Sequence, residues 1–295
     1  MIYYCTYILW EWRYLELKIN PSKCVACGNC TYVCPMGAIY IDPLLNRATI
    51  NDDECVECYA CFNGMSQEHL SPVLVRTIRK VLSFLRIRFD PEPDVCPTAA
   101  FEPDELTWPR VVRRAFSDPR VPHESTGVEG RGTEEVKTND VTGRVKVGEV
   151  GFTVEFGRPG VGVRFRDIQK MCWALAEANV TFEKKNPITS LMTDVSSGTL
   201  REDILDEKVM SAIVEIKVPV QRTEEIVRLV WDVEKRIHTV VALGVGVRCD
   251  GDGDEEIVAP ILERLGYKLE RAKTNAGLGR VALATATLRK DVVSA

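Results

Sequence analysis

The feature that most constrains this chain is the run Cys24, Cys27, Cys30, Cys34 followed by Pro35. Thiols with two residues between them draw the backbone into a tight loop around one bound centre, and the small Ala26 and Gly28 let backbone amides approach the sulfurs. A second run, Cys55, Cys58 and Cys61, repeats the spacing, but Phe62, Asn63 and Gly64 lead to no fourth cysteine. The missing member reappears at Cys96, where Cys96-Pro97-Thr98-Ala99-Ala100 mirrors Cys34-Pro35-Met36-Gly37-Ala38. Residues 62–95 therefore read as an insertion that splits the second motif.

Eleven cysteines in 295 residues with no signal-peptide pattern argue for metal or catalytic chemistry and against a disulfide framework. Only Cys5, Cys172 and Cys249 fall outside the constellation, and as single thiols they read as buried apolar residues. The apolar stretch Ile2 to Trp12 is too short to span a bilayer and contains Glu11. With 45% apolar and 27% charged residues the chain reads as a globular, cytoplasmic protein, and its length suggests two domains. A net charge of -5 argues against a nucleic-acid partner.

The complete C-x2-C-x2-C-x3-C-P run resembles that of bacterial-type ferredoxins, and residues 18–101 are similar to a dicluster 4Fe-4S ferredoxin domain. The resemblance implies two 4Fe-4S clusters, each taking three cysteines from one run and the fourth from the other. One cluster would use Cys24, Cys27, Cys30 and Cys96; the other would use Cys34, Cys55, Cys58 and Cys61. Because of the insertion, a displaced Cys96 is the alternative, and it would leave a three-cysteine site. Zinc also takes four thiolates, but usually from paired C-x2-C units, and consecutive triplets with two Cys-Pro dipeptides suit cubes better. Tyr14–Ile19 is expected to form a strand, and Ala38–Ile41 and Ala48–Ile50 a hairpin, packed over the clusters.

Inside the insertion, a helix over about residues 69–90 places Leu74, Ile78, Val81, Leu82, Leu85 and Phe89 on one face, expected to cover the core. Arg76, Arg79, Lys80 and Arg86 make the opposite face basic. Two oxidised cubes add about -4 of charge nearby, which that face would offset while steering an acidic partner. Such a helix can also lie on a membrane surface. Residues 102–147 read as a linker with one short helix around Trp108–Phe116, and its Gly130-Arg131-Gly132-Thr133 turn, near His123, is a candidate anion cradle.

From residue 148 to 295 strands and helices alternate: strands at Glu149–Phe156, Val180–Lys184, Val209–Val218 and Thr239–Arg248, with helices at Phe165–Asn179, Thr223–His238 and Glu255–Leu265. Further strands are expected near Tyr267–Arg271 and Arg280–Thr287. The fold class expected is α+β, a dicluster domain with a helical insertion followed by a two-layer, ferredoxin-like α/β sandwich. The Gly157–Gly162 loop does not match a nucleotide fingerprint, and Asp250, Asp252 and Asp254 lack the closing glutamate of a calcium loop. With His69, His123 and His238 the only histidines, no catalytic set emerges. The expectation is an electron carrier with redox partner proteins, dedicated to one enzyme complex. The alternative is a redox-linked regulatory protein that binds a small-molecule ligand in its second half. Homo-oligomerisation stays open, and the reading argues against a membrane partner.

Overall fold

The computed structural model describes residues 15–65, 70–87, 95–121, 143–248, 257–267 and 278–279, which divide into a unit ending at Val111 and a second starting at Val112. Helix and strand are mixed in an α+β arrangement.

The first unit is the same motif built twice. Strand β1 (Leu15–Ile19), helix α1 (Asn29–Val33) and strand β2 (Ile39–Asp42) make one copy; β3 (Arg47–Ile50), α2 (Ala60–Asn63) and β4 (Phe101–Glu105) make the other. The copies interlock: β1 pairs antiparallel with β4, Leu17 opposite Pro103, while β2 pairs with β3, Ile39 opposite Ile50. The hairpin turn closes because the Asp42 carboxylate accepts from the Leu44 and Leu45 amides and Asn46 takes a left-handed φ of 48°. Leu17, Ile39, Ala48, Tyr59, Ala100 and Phe101 form the core between the copies. The sequence reading ended this domain at residue 101, but β4 continues to Glu105 because β1 presents a pairing edge of that length.

The inserted helix, α3 (Pro72–Phe84), starts at Ser71 with Pro72 in its first turn, where a missing N–H costs nothing. It ends when Arg86 enters the left-handed region and Ile87 N–H reaches back to the Leu82 carbonyl at 2.9 Å. Its orientation corrects the expectation from the sequence. The apolar face does not cover the core: Leu74, Ile78, Val81 and Leu85 are exposed, and among the described residues of the helix only Val75 is buried. Phe89 lies outside the described residues. The reason is Arg76, whose guanidinium donates to the carbonyls of Ser22 and Cys24 at 2.5 and 2.9 Å and so turns the polar side inward. Carbonyls left without partners by a tight loop outweigh apolar burial on that side of the helix.

In the second unit, α4 (Val111–Ser117) is the short helix expected within the linker, and it is packed in place. Phe116 meets Phe165 edge to face with ring centroids 5.4 Å apart, Arg113 pairs with Glu207, and Ser117 Oγ accepts from the Met210 amide. Strand β5 (Glu149–Phe156) leads to α5 (Phe165–Glu177) and the two-residue β6 (Thr181–Phe182); β7 (Ala212–Pro219), α6 (Thr223–Glu234) and β8 (Val240–Val247) repeat the pattern. Then come α7 (Val258–Arg264) and β9 (Leu278–Gly279). The sheet runs β9-β8-β5-β7-β6 with every neighbouring pair antiparallel. Val150, Phe152, Val154 and Phe156 alternate along β5 and are fully buried. Phe165, Ile168, Met171, Cys172 and Leu175 form the inner stripe of α5, as Ile226, Val227, Val230 and Val233 do on α6, and the two helices pack together.

Sequence periodicity missed the hairpin Met192–Asp194 with Thr199–Leu200. It is held from below by the buried Gln169 amide, which donates to Gly198 O and accepts from Leu200 N–H, both at 2.7 Å. Thr223 is the first residue of α6 and not its cap, and its hydroxyl donates to Val220 O. Cys5, Cys249, His69, His123, the Gly130–Thr133 turn, the Asp250–Asp254 segment and the strand expected near Arg280–Thr287 lie outside the described residues.

Candidate functional site

Two loops of matching geometry carry the cysteine triplets. In the first, Ala26 and Gly28 adopt φ of 55° and 84°; in the second, Glu57 and Tyr59 adopt 54° and 60°. These positions are equivalent, two and four residues after Cys24 and after Cys55. Alternating left-handed residues turn successive amides toward the inside of a loop, which makes a concave seat for an anionic group. Each loop enters the same way. Asn20 O accepts from Cys24 N–H at 3.0 Å, as Asn51 O does from Cys55 N–H at 2.9 Å, and each asparagine side chain takes an amide two residues on.

The Cys-Pro segments mirror each other too. Ala38 N–H points at Cys34 Sγ (3.2 Å), and Ala100 N–H points at Cys96 Sγ (3.2 Å). The loops are tied crosswise to the opposite segments by Asn51 N–H to Ala38 O and Asn20 N–H to Ala100 O. A further amide, Ala48 N–H, donates to Cys24 Sγ at 3.3 Å. Donors aimed at sulfur lower the charge of a thiolate and are what a metal-bound thiolate requires.

The eight thiols interact in two sets. Burial pushes Cys30 up to about 12, and the thiols of Cys27, Cys24 and Cys96 push in the same direction. Burial likewise raises Cys27, with contributions from Cys96 and Cys24. Burial also raises Cys61, whose thiol neighbours are Cys58, Cys55 and Cys34. These last four share one cavity walled by Leu17, Ile39, Ile50 and Tyr59. Cys96 therefore stands with the first triplet and Cys34 with the second.

Among the described residues, no three Cys, His, Asp or Glu side chains converge on one point as the donors of a single ion do. The grouping and that absence are compatible. A single tetrahedral zinc draws its sulfurs to one centre at about 2.3 Å, whereas a cube binds each thiolate to a separate iron at its own corner. The donor set, the apolar walls around Cys34, Cys55, Cys58 and Cys61, and the amides directed at sulfur fit cubes. Cys172 is unrelated: it is fully buried in the core of the second unit, and burial alone raises its thiol.

One pair escaped the reading of the sequence. Glu57, only 1% exposed, lies 3.7 Å from Cys55 Sγ and accepts from Arg110 Nη2 at 2.7 Å and Nε at 3.0 Å. Burial raises its carboxyl, and Arg110 draws it part of the way back. The available signal was the asymmetry of the repeat, since a glutamate stands where the first loop has Ala26.

Residues 16–64 match the family model of a 4Fe-4S dicluster domain. This segment is a ferredoxin-type iron-sulfur domain. The match stops at Gly64, just inside the stretch 62–95 that reads as an insertion. Two proteins called Ferredoxin-1, both from Rhodobacter capsulatus, are each 43% identical to the chain over 44 residues. That similarity covers 15% of this chain and 65% of each relative. No solved structure matches.

Proposed function

We propose that this protein is an electron carrier holding two 4Fe-4S clusters, dedicated to one redox enzyme complex. One cluster is bound by Cys24, Cys27, Cys30 and Cys96, the other by Cys34, Cys55, Cys58 and Cys61. What supports this reading is the grouping of the thiols, with Cys96 acting on Cys30 of the first triplet and Cys34 sharing a cavity with Cys55, Cys58 and Cys61. When bound, such clusters supply one-electron transfer. The chain's own part is to exclude water with Leu17, Ile39, Ile50 and Tyr59 and to aim the Ala38, Ala48 and Ala100 amides at the sulfurs, which sets the potential. Anaerobically purified protein should contain about eight irons and eight sulfides per chain. A colourless protein with one or two zincs and no sulfide refutes the reading.

In this reading residues 112–295 form a docking module. What supports a ferredoxin-like two-layer sandwich for it is the β-α-β-β-α-β order, with β8-β5-β7-β6 in the sheet. A specific feature favours a second reading for this module, the binding of a small anionic ligand. A cavity of about 440 Å³ opens beside β6 and β7, and Arg144, Lys146, Lys184, Lys185 and Lys217 line it. The volume is that of a small-molecule site. The cations outnumber the carboxylates of Glu183 and Glu215 that share the lining. A thermal shift with an anionic metabolite that persists when the cysteines are replaced would assign this role to the second unit.

A further inference from the structure

The inserted helix α3 is built the wrong way round for a helix whose task is to cover a core. At about 100° per residue, Val73, Leu74, Thr77, Ile78, Val81, Phe84 and Leu85 share one arc of about 140°. The apolar members of that arc are all exposed, Phe84 by 85% and Val73 by 70%. Thr77 is the one polar residue among them, and its hydroxyl is turned back to Val73 O at 2.8 Å. Arg76 fastens the other side of the helix to the loop that carries Cys24, and Arg79 lies close enough to Cys27 to act on its thiol. From Ser71 to Ile87 the sequence has Arg76, Arg79, Lys80 and Arg86 and no acidic residue, in a chain whose net charge is -5.

We propose that this face of α3 docks on the surface of an anionic lipid bilayer, lying in its plane without crossing it. The charge is complementary, and Lys80 beside Val73 together with Arg86 at the helix end can reach headgroups while the apolar arc enters the acyl boundary. Contiguous exposed apolar patches rimmed by polar residues mark interaction sites. The competing occupants fit less well. A second copy of the chain would bring two acid-free cationic helices face to face, and transient protein interfaces are about as polar as the surface around them, which this arc is not. The described residues contain no helix long and apolar enough to span a membrane. The proposal does not depend on which cysteines bind which cluster, since the docking face is made of residues of α3 alone.

The test is flotation of the full, cluster-loaded chain with vesicles of phosphatidylcholine alone and of phosphatidylcholine with phosphatidylglycerol. Binding is expected to the anionic vesicles, falling as salt rises. The double substitution Leu74→Asp, Phe84→Asp should lower it at least about tenfold, and Lys80→Gln roughly fivefold, both with unchanged cluster absorption as the control for folding. Equal binding to both vesicle types, no binding at low salt, or binding indifferent to these substitutions overturns the proposal. So does a dimer that the double variant dissociates while the parent ignores the vesicles.

Discussion

Val95 donates its amide hydrogen to the carbonyl of Gly64 across 3.0 Å, so the chain leaves the second cysteine loop and re-enters it at one place. Leu70 N–H to Pro97 O, at 2.8 Å, makes a second tie just beyond. The insertion is thus clasped at its base, and Cys96 arrives where an uninterrupted repeat would have put its fourth cysteine. Loop closure grows costlier only slowly with length, so an insertion of this size is tolerated once its ends are fastened.

Replacing Cys96 by serine should remove one cluster, about four irons and four sulfides, and leave the other. Replacing Cys172 by serine should leave the iron unchanged while costing about 1–3 kcal/mol of stability, because a hydroxyl enters a fully buried site. Iron and sulfide analysis with a denaturant titration reads both outcomes. Full iron content in the Cys96 variant would remove this residue from the ligand set.

Gly64 has no room for a side chain, because a Cβ there would run into Val95 Cγ2. Gly64→Ala is expected to cost about 1–3 kcal/mol through overpacking, and adding Val95→Ala should recover part of that. A shift in the denaturation midpoint that the second substitution fails to relieve would show that the clasp is looser than described.

Arg110→Gln leaves the Glu57 carboxylate buried without its guanidinium partner and should cost about 3–5 kcal/mol. Glu57→Gln in the same chain should return most of it.

The pH dependence has a definite sign. Burial raises the Glu57 carboxyl above its ordinary value, so the folded chain holds this proton to higher pH than the unfolded chain does. Its contribution to stability therefore falls as pH rises from the ordinary carboxylate range through the folded value. Denaturant midpoints across that range, steeper in Arg110→Gln and flat in Glu57→Gln, are the measurement.

Lys184→Glu together with Lys185→Glu should abolish any thermal stabilisation of the second unit by anionic metabolites, since both line its cavity. A shift that survives both substitutions would place such a ligand elsewhere.

Much of the candidate site was legible because ligand chemistry demands fixed residue types at short, fixed spacings. The triplets, the Cys-Pro segments and the flanking hairpin are all local features, and the strands β5, β7 and β8 announced themselves through valine-rich alternation. What escaped was non-local. The Glu57–Arg110 pair joins residues far apart in sequence, and the Met192–Leu200 hairpin is too short for periodicity to register. The helix α3 was located from its pattern, yet its outward face was misassigned, because periodicity shows that a helix has two faces and not which one meets the protein.

By itself the sequence determined which cysteines recur at fixed spacing, that their runs are of the ferredoxin type, and that the second half alternates strand with helix. Only the tertiary structure decided that the insertion is clasped at its base, and that α3 turns Arg76 inward and Phe84 out. Both were settled by backbone groups seeking partners, Val95 N–H on Gly64 O and the Ser22 and Cys24 carbonyls on Arg76. Nearly every residue carries a main-chain N–H and C=O, so side-chain periodicity alone does not say which of them will take a partner.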